Sequence, residues 1–410
     1  MMNRRNLTIL ALGAALSLAL PVMALAQTSR VEGMALQGDY IKDYSGIYTY
    51  TSGVSNVGNL IYGELGTAGP LAPATNDRSV GAVLGNLWDG RFGTWAIHLR
   101  EQTPNLGQGD ASSHGAPGIG SDPNTNTNES FDLMWGKKFG TKSLGLRLNR
   151  SFGSQEFAGT NVIGGITKTE GIGNLNRNVL GFGGGVGFEV NPTTNVEMNV
   201  LWQSRTFKVE DPTVPALTSE EDGPTTYQVA GRAMWQWQSN VMVVPVVKFY
   251  SYDTSVKNGT PAVVTKSTLK GWQVGLAGNW ALGTNDLFVL GATFARNKQE
   301  AANKNVLSTE TFAPQVFAAL ETHLNSWLTV RFGANKAAWY TIKNEVVAPA
   351  GSTKTNGFSS FEMNLGAGLK FGNLQLDAIL DNSFPHNLPF FVSGNNTANM
   401  FPKVTATYPF

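Results

Sequence analysis

Alternation of apolar and polar residues constrains this chain more than any other feature of its sequence. In residues 226–237, Tyr227, Val229 and Trp235 fall on one side of an extended strand, and Gln228 and Arg232 fall on the other. A period of two is that of a strand with one apolar and one polar face, so the pattern predicts an all-β fold. The same scheme recurs in residues 144–148, 196–205, 272–282, 361–371 and 374–380.

Turn signals divide this series of alternating segments into units of similar length. Compact turn signals fall near Gly90, Gly140, Pro192, Ser239, Thr284, Asn325 and Gly372. Longer polar stretches lie between them, at residues 102–128, 152–176, 208–224, 254–266, 299–310, 343–356 and 384–401. Short turns on one side and long loops on the other are typical of a transmembrane antiparallel up-and-down β-barrel. Only a closed sheet can cross lipid, because its backbone groups find no water there.

The hairpins can be counted. Seven of them surround the compact turns and supply fourteen strands. A first strand near 56–65, joined by a loop to 79–88, and a last strand at 403–410 bring the predicted number to sixteen, with fourteen or eighteen as alternatives.

The first 26 residues have the pattern of a secretory signal peptide. Arg4 and Arg5 precede a short apolar run, and Ala24-Leu25-Ala26 supplies the small-residue cleavage pattern. We therefore expect export and cleavage before Gln27, with the barrel formed by residues 55–410. Residues 27–54 remain as a lumenal segment, a periplasmic segment or an extra hairpin.

The last strand carries a resemblance to a known class. Its apolar face consists of Val404, Ala406, Tyr408 and Phe410, whereas Pro409 departs from the usual pattern. This ending resembles the C-terminal assembly signal of Gram-negative outer-membrane barrels, and the strand count resembles the sixteen-stranded porin class. The resemblance implies recognition of Tyr408 and Phe410 by the barrel assembly machinery, and a location in the outer membrane among its lipids and lipopolysaccharide. A homotrimer would fit it.

The strand number and the inward faces predict a channel. About 16–18 strands leave an aqueous lumen, so we expect passive diffusion of small hydrophilic solutes through a porin. The alternative is a structural or adhesive barrel whose lumen is plugged. Inward charges either pair across strands and hold the wall together, or tune ion selectivity. The candidate lumen-lining residues are Arg147, Glu197, Arg205, Arg232, Lys248, Glu321, Arg331, Glu362 and Lys370.

A glycine run and one loop motif suggest a constriction. Gly181, Gly183, Gly185 and Gly187 share the inward face of one strand, where bare backbone permits close approach of another segment. The expected occupant is an inward-folded loop, 102–128 or 152–176. Ser154–Gly159 is similar to the constriction-loop motif of general porins, and this similarity marks Glu156 as a candidate contact.

Several function classes are not supported by the sequence. The net charge of +1 provides no basic face for nucleic acid. The chain has no Cys, and neither a G-x-S-x-G nor an H-E-x-x-H motif occurs. We therefore expect neither catalysis nor a bound metal or cofactor.

Overall fold

The computed structural model describes the chain from residue 29 onward. The described residues are 29–66, 78–85, 87–100, 129–158, 161–163, 166–168, 172–210, 219–221, 225–253, 256–258, 263–265, 268–283, 285–301, 305–346, 351–357, 361–380 and 401–410. Within these ranges, no helix is both long enough and apolar enough to cross a membrane.

Sixteen antiparallel strands form a closed up-and-down barrel. Each strand pairs with its neighbour along the chain, and the last strand pairs with the first through the register Leu60↔Pro409 to Gly66↔Lys403. The strands are β1 Leu60–Gly66, β2 Ser79–Leu84, β3 Thr94–Arg100, β4 Glu129–Phe139, β5 Lys142–Ala158, β6 Ile172–Asn191, β7 Thr194–Glu210, β8 Thr225–Gln238, β9 Val241–Asp253, β10 Thr268–Leu282, β11 Asp286–Ala301, β12 Val306–His323, β13 Leu328–Ala337, β14 Glu362–Phe371, β15 Leu374–Leu380 and β16 Lys403–Pro409.

The predicted fold class and strand number are confirmed, and all seven compact turns fall between paired strands. Gly140 and Gly372 each occupy a two-residue turn with φ near +62°. A tight hairpin needs this left-handed conformation, which glycine adopts without a steric penalty. The turns therefore lie together at one end of the barrel, which we call the turn end.

The wall at the opposite end is higher than the sequence predicts. Residues 152–176 and 299–310 were expected to be loops, yet β5 runs to Ala158, β6 begins at Ile172, and only residues 302–305 separate β11 from β12. Residues 343–346 and 351–356 belong to two paired strands, Tyr340–Val346 and Gly351–Gly357, that continue the sheet beside β12. Beyond the membrane, water contacts both faces of a strand, so a paired strand there needs no apolar face. Its sequence therefore lacks the alternation of apolar and polar residues and resembles that of a loop.

The outer face is apolar. Leu276, Phe182 and Val200 are about half exposed, although each lies mid-strand. Exposed aromatic rings cluster beside the turns, where amphipathic rings favour the headgroup level. These rings are Phe92, Phe139, Trp235, Trp237, Trp327 and Phe371.

Residues 29–56 lie inside the barrel. We call this stretch the lumenal segment; it consists of one helical turn, Ser29–Glu32, and three short 3-10 helices, Gly38–Tyr40, Tyr44–Tyr48 and Thr51–Asn56. Its apolar side chains, including Met34, Leu36 and Tyr40, are buried against inward-facing apolar residues of β9 to β12. The barrel thus has a small hydrophobic core where an open pore would have water.

Candidate functional site: a lumen occupied by the N-terminal segment

Ion pairs fasten the lumenal segment to the wall on several sides. Arg30 pairs with Glu321 of β12 at 2.8 Å. Glu32 accepts from Lys403 of β16 at 2.9 Å, and Asp39 pairs with Lys248 of β9. These three anchors reach different parts of the circumference, so they fix the orientation of the segment as well as its depth.

One of these anchors belongs to a chain of alternating charges. Asp377 of β15 pairs with Arg331 of β13 at 2.6 Å, and Arg331 pairs with Glu321 at 2.6 Å. Glu321 binds Arg30, which in turn binds Asp43 at 2.8 Å. Each inner member contacts two opposite charges, which offsets the cost of removing the group from water. This series of ion pairs joins the wall strands β12, β13 and β15 to Arg30 and Asp43 of the lumenal segment.

Electrostatics hold Arg30 in its charged form. Burial lowers its pKa, but the hydrogen bonds and charges of Glu321 and Asp43 together outweigh burial and raise the pKa above the ordinary value. Arg30 is therefore a permanent cation at this position, and both carboxylates are needed to balance it.

Wall side chains also satisfy the irregular backbone of the segment. Amide groups of Asn364, Asn335 and Asn279 donate to the carbonyls of Glu32, Ala35 and Tyr40 at 2.8–3.1 Å. Buried backbone carbonyls need such partners, and a non-helical segment cannot supply them itself. The lumen wall is therefore matched to the backbone of the segment as well as to its charges.

Two wall arginines donate hydrogen bonds both to other wall residues and to the lumenal segment. Arg147 donates to Asp132 at 2.8 Å and to the carbonyl of Tyr48 at 2.8 Å. Arg232 donates to Glu197 at 2.6 Å and to the carbonyl of Asp39 at 3.1 Å. The guanidinium of Arg232 also lies 4.1 Å from the ring centroid of Tyr50, a cation–π distance.

A tyrosine–histidine cluster holds the middle of the segment. The hydroxyl of Tyr48 lies 2.7 Å from Nδ1 of His98, and the hydroxyl of Tyr62 lies 2.5 Å from the same nitrogen. His98 is fully buried on β3. The cluster ties the segment to β1 and β3, opposite the core formed with β9 to β12.

The glycine face of β6 receives the end of the lumenal segment. A Cβ at Gly185 would meet Oδ1 of Asn199 of β7 first, and it would lie 2.9 Å from Oγ1 of Thr51 and 3.1 Å from the nitrogen of Ser52. A Cβ at Gly187 would meet Oγ of Ser143 of β5 first, and it would lie 3.4 Å from Oγ of Ser52. The expected occupant was an inward-folded loop. Residues 102–128 lie outside the described residues, and Glu156 pairs with Asn174 within the sheet instead of lying in a loop.

The other predicted lumen residues lie as follows. Lys248, Glu321 and Arg331 belong to the anchors above. Glu362 accepts from the amides of Asn335 and Asn364, and Lys370 lines a cavity at the turn end. Gly181 and Gly183 face Asn149 and Arg147 of β5. The side chains of Arg205 and Glu156 lie outside the described part of the structure.

The charged partners on the lumenal segment could not be predicted from the sequence. Arg30, Glu32, Asp39 and Asp43 take part in several of the ion pairs in the lumen, yet they follow no periodic pattern. The one available signal is compositional, since residues 40–50 contain four tyrosines.

Two cavities remain beside the segment at the turn end. One, of about 720 Å³, is lined by charged groups including Arg30, Lys370 and Asp377. The other, of about 700 Å³, is lined by groups including Lys138 and Glu197. Asp43 and Tyr44 line both cavities, so this part of the segment separates them. Turn residues contribute to each cavity, which places both near the turn-end mouth.

Two carboxylates beyond the segment have only neutral partners. Glu310 accepts from the hydroxyl of Tyr340 at 2.5 Å and from Asn297 at 3.3 Å, and Glu362 accepts from two amides. By contrast, Glu197 and Glu321 each pair with an arginine. Among the described residues, no base therefore pairs with either carboxylate on the side of the lumen formed by β12 and β14.

The closed barrel, the apolar exterior and the polar interior define a transmembrane β-barrel of the outer-membrane class. No protein-family model matches the chain, and no curated protein matches it by sequence.

Solved structures with a similar arrangement include several outer-membrane barrels. A Pseudomonas aeruginosa FadL homologue is 11% identical with a TM-score of 0.44, and the match covers 95% of this chain and 100% of the homologue. The Pseudomonas putida toluene transporter TodX is 9% identical with a TM-score of 0.40, and the match covers 95% of this chain and 97% of the transporter. The copper transporter OprC is 12% identical with a TM-score of 0.42 over 78% of this chain, which spans 60% of that transporter's length. The assignment to the barrel class rests on this chain's own strand pairing.

Proposed function

We propose that this protein is an outer-membrane channel that lets small hydrophilic solutes cross by passive diffusion along the sides of its lumenal segment. The observation that supports this function is the pair of cavities of about 700 Å³ beside the segment. The first is lined largely by charged and polar side chains, which suit water and hydrated solutes, and the second combines such side chains with apolar ones, including Ile47, Val57 and Met242. A sixteen-stranded wall is wide enough to hold the segment and an aqueous path together.

The lumenal segment sets the size limit in this proposal. It contacts β3 to β7 on one side and β8 to β16 on the other, so the free cross-section is much smaller than that of the bare wall. We therefore expect low conductance and a steep dependence of permeation on solute size. Release of the segment would convert a narrow channel into a wide one.

A second candidate function is a structural or adhesive barrel with a plugged lumen. The anchors favour it, because ion pairs, backbone hydrogen bonds and a hydrophobic core all hold the segment in place. In that case the extracellular surface would carry the function and the lumen would pass nothing.

Recordings in planar lipid bilayers distinguish the two candidates. The purified full chain should give small stepwise currents, and liposomes containing it should swell faster in small sugars than in large ones. Silent bilayers and size-independent swelling at the protein-free rate would favour the plugged scaffold. The double variant Arg30→Ala/Asp39→Asn serves as a positive control, since loosening the segment should produce large steps under either hypothesis and so prove that barrels are inserted.

The C-terminal strand supports the proposed route to the membrane. Tyr408 and Phe410 are about half exposed on the outer face, at the seam where β16 meets β1. We propose that the barrel assembly machinery recognises them there. No catalytic residue is assigned to the protein.

A further inference from the structure

A row of lysines crosses the outer face of the barrel near the end opposite the turns. Lys270 of β10 pairs in register with Lys298 of β11, and Lys298 with Thr309 of β12. Thr309 pairs with Lys343, which pairs with Lys354 in the hairpin beside β12. We call these five residues the lysine row. Since cross-strand partners lie on the same face of a sheet, all four lysines project to the same side.

The lysine row faces outward. On β10, Trp272, Val274 and Leu276 alternate with inward-facing residues and are 39–54% exposed. Lys270 continues this outward series, two residues beyond Trp272, and is exposed. On β11 the outward series passes from Leu290 and Phe294 to Arg296 and Lys298 in the same way.

The row lies just above the lipid-facing band. Lys298 is twelve residues from the turn-end start of β11 at Asp286, and Lys270 is twelve residues from the end of β10 at Leu282. At about 3.3 Å per residue and a tilt of about 35–45°, twelve residues rise by about 30 Å. The apolar band of such barrels is about 25 Å tall. The lysines therefore reach the headgroup level of the outer leaflet.

The charges in this row are not balanced within the protein. Glu300 pairs with Lys298 and Glu345 with Lys343, each at 2.7 Å. Lys270, Lys354 and the neighbouring Arg296 have no acidic partner among the described residues. Five basic and two acidic groups leave a net charge of +3 on the patch.

Like charges directly opposite each other destabilise a sheet, and here this happens twice, at Lys270↔Lys298 and Lys343↔Lys354. Such an arrangement is expected where an external anion neutralises both members of each pair. With strands about 4.8 Å apart, the two pairs are separated by about 10 Å, which leaves room for two phosphate groups on either side of Thr309.

We propose that the lysine row, together with Arg296, is a binding surface for the phosphate groups of the outer-leaflet glycolipid, lipopolysaccharide. The lipid chains would lie along the apolar strip below, formed by Trp272, Phe294 and their outward neighbours. The ammonium groups would donate charge-assisted hydrogen bonds to the phosphates. This inference concerns the exterior and holds whether or not the lumen conducts.

Binding of lipid A tests this proposal on the detergent-solubilised full chain. The probes are bisphosphorylated lipid A and the same lipid treated with phosphatase, with binding followed by microscale thermophoresis at 50 mM and 500 mM NaCl. The wild-type chain should bind the phosphorylated lipid at least tenfold more tightly than the treated one. High salt should weaken this preference, because it screens exposed charges.

A matched pair of triple variants locates the site. K270Q/K298Q/K343Q should lose the preference for phosphorylated lipid. K137Q/K138Q/K142Q, which removes three lysines at the turn end, should keep it. Retention of the preference by the first variant, or equal loss in both, would overturn the proposal, as would equal wild-type binding of the two lipids. Heat-modifiable migration on gels confirms that each variant forms the barrel.

Discussion

Arg30 and Glu321, which are 291 residues apart in the chain, meet through two parallel hydrogen bonds of 2.9 and 2.8 Å. One belongs to the lumenal segment and the other to the barrel wall. A bidentate guanidinium–carboxylate contact fixes orientation as well as distance. This contact therefore governs how firmly the segment is held in the lumen.

Replacing Arg30 by Ala should loosen the segment. The change leaves Glu321 and Asp43 with one cation fewer. Breaking a fully buried ion pair costs roughly 3–5 kcal/mol, and we expect a smaller cost here because the Arg30 side chain is 23% exposed. We expect larger and noisier single-channel currents and faster proteolysis within residues 29–56. The matched control is Lys138→Gln, which breaks an exposed pair with Glu189 at 3.4 Å; such pairs contribute about 1 kcal/mol or less. Equal currents from wild type and Arg30→Ala would show that this anchor does not hold the segment.

The glycine face offers a steric test. Gly185→Leu should displace the end of the segment, because even a Cβ at this position would crowd Thr51, Ser52 and the wall residue Asn199, whose Oδ1 accepts hydrogen bonds from Thr51. Gly184→Leu is the control, since a Cβ there meets nothing within 4 Å and Gly184 lies on the other face of the same strand. Conductance and protease sensitivity should rise only in the first variant. Similar behaviour of the two variants would mean that strand β6, and not its contact with the segment, is being perturbed.

Alkaline pH should release the segment. Burial raises the pKa of Tyr40 to about 12, and hydrogen bonds to Thr293 and Gln273 lower it by less. Burial also raises the pKa values of Tyr44 and Tyr50 well above the ordinary range. A raised folded-state pKa stabilises the docked segment fully below pH 10, and this stabilisation is lost as the pH rises through about 12. A shift of two units corresponds to about 3 kcal/mol for Tyr40.

Absorbance of tyrosinate near 295 nm, followed together with conductance, measures this release. The two signals should change together between about pH 10 and pH 12. Tyr40→Phe removes one titrating group and should shift the conductance change to higher pH. If the phenols ionised at their ordinary pKa with no change in conductance, the segment would not depend on their burial.

Lumen charge should favour cations. Among the described residues, Glu310 accepts hydrogen bonds only from Tyr340 and Asn297, so no neighbouring base balances its charge. Glu310→Gln should reduce the cation preference in reversal-potential measurements under a KCl gradient by about twofold, the order expected for removing one of few uncompensated charges. Glu189→Gln, at the turn-end rim, should change the preference less. An unchanged reversal potential in Glu310→Gln would place the ion path away from β12.

Deletion of Phe410 should slow assembly and leave the finished barrel intact. The ring is about half exposed on the outer face, and its loss removes no lumen contact. We expect less heat-modifiable protein in outer-membrane fractions, with unaltered conductance per inserted channel. A truncation that lowered conductance and left yield unchanged would contradict the assignment of this residue to assembly.

The wall could be predicted from the sequence, and the reason is local. Tyr227, Val229 and Trp235 alternate with Gln228 and Arg232 because lipid and lumen select opposite residue types at each step along the strand. Gly140 and Gly372 mark hairpins because a two-residue turn requires a left-handed residue. Both signals are complete within a few residues.

The occupied lumen could not be predicted, because its causes are distant in sequence. The lumenal segment has no regular period, and its place depends on partners such as Glu321, Asn335 and Lys403, which lie some 290 to 370 residues away. Inward-facing Val244, Val246 and Phe317 form the apolar surface against which the segment packs. In the sequence they are only small departures from the alternation of apolar and polar residues. The upper wall was missed because strands above the membrane need no apolar face.

Ser29 hydrogen-bonds to Thr405 at 2.8 Å, across 376 residues of chain. The N-terminal end of the described chain therefore docks on β16, the strand that closes the barrel against β1. A barrel without β16 would lack its closing seam with β1 and also the seat for Ser29 and Glu32. Closure of the wall is consequently coupled to docking of the segment, because an unclosed barrel lacks the part of the seat that holds residues 29–32.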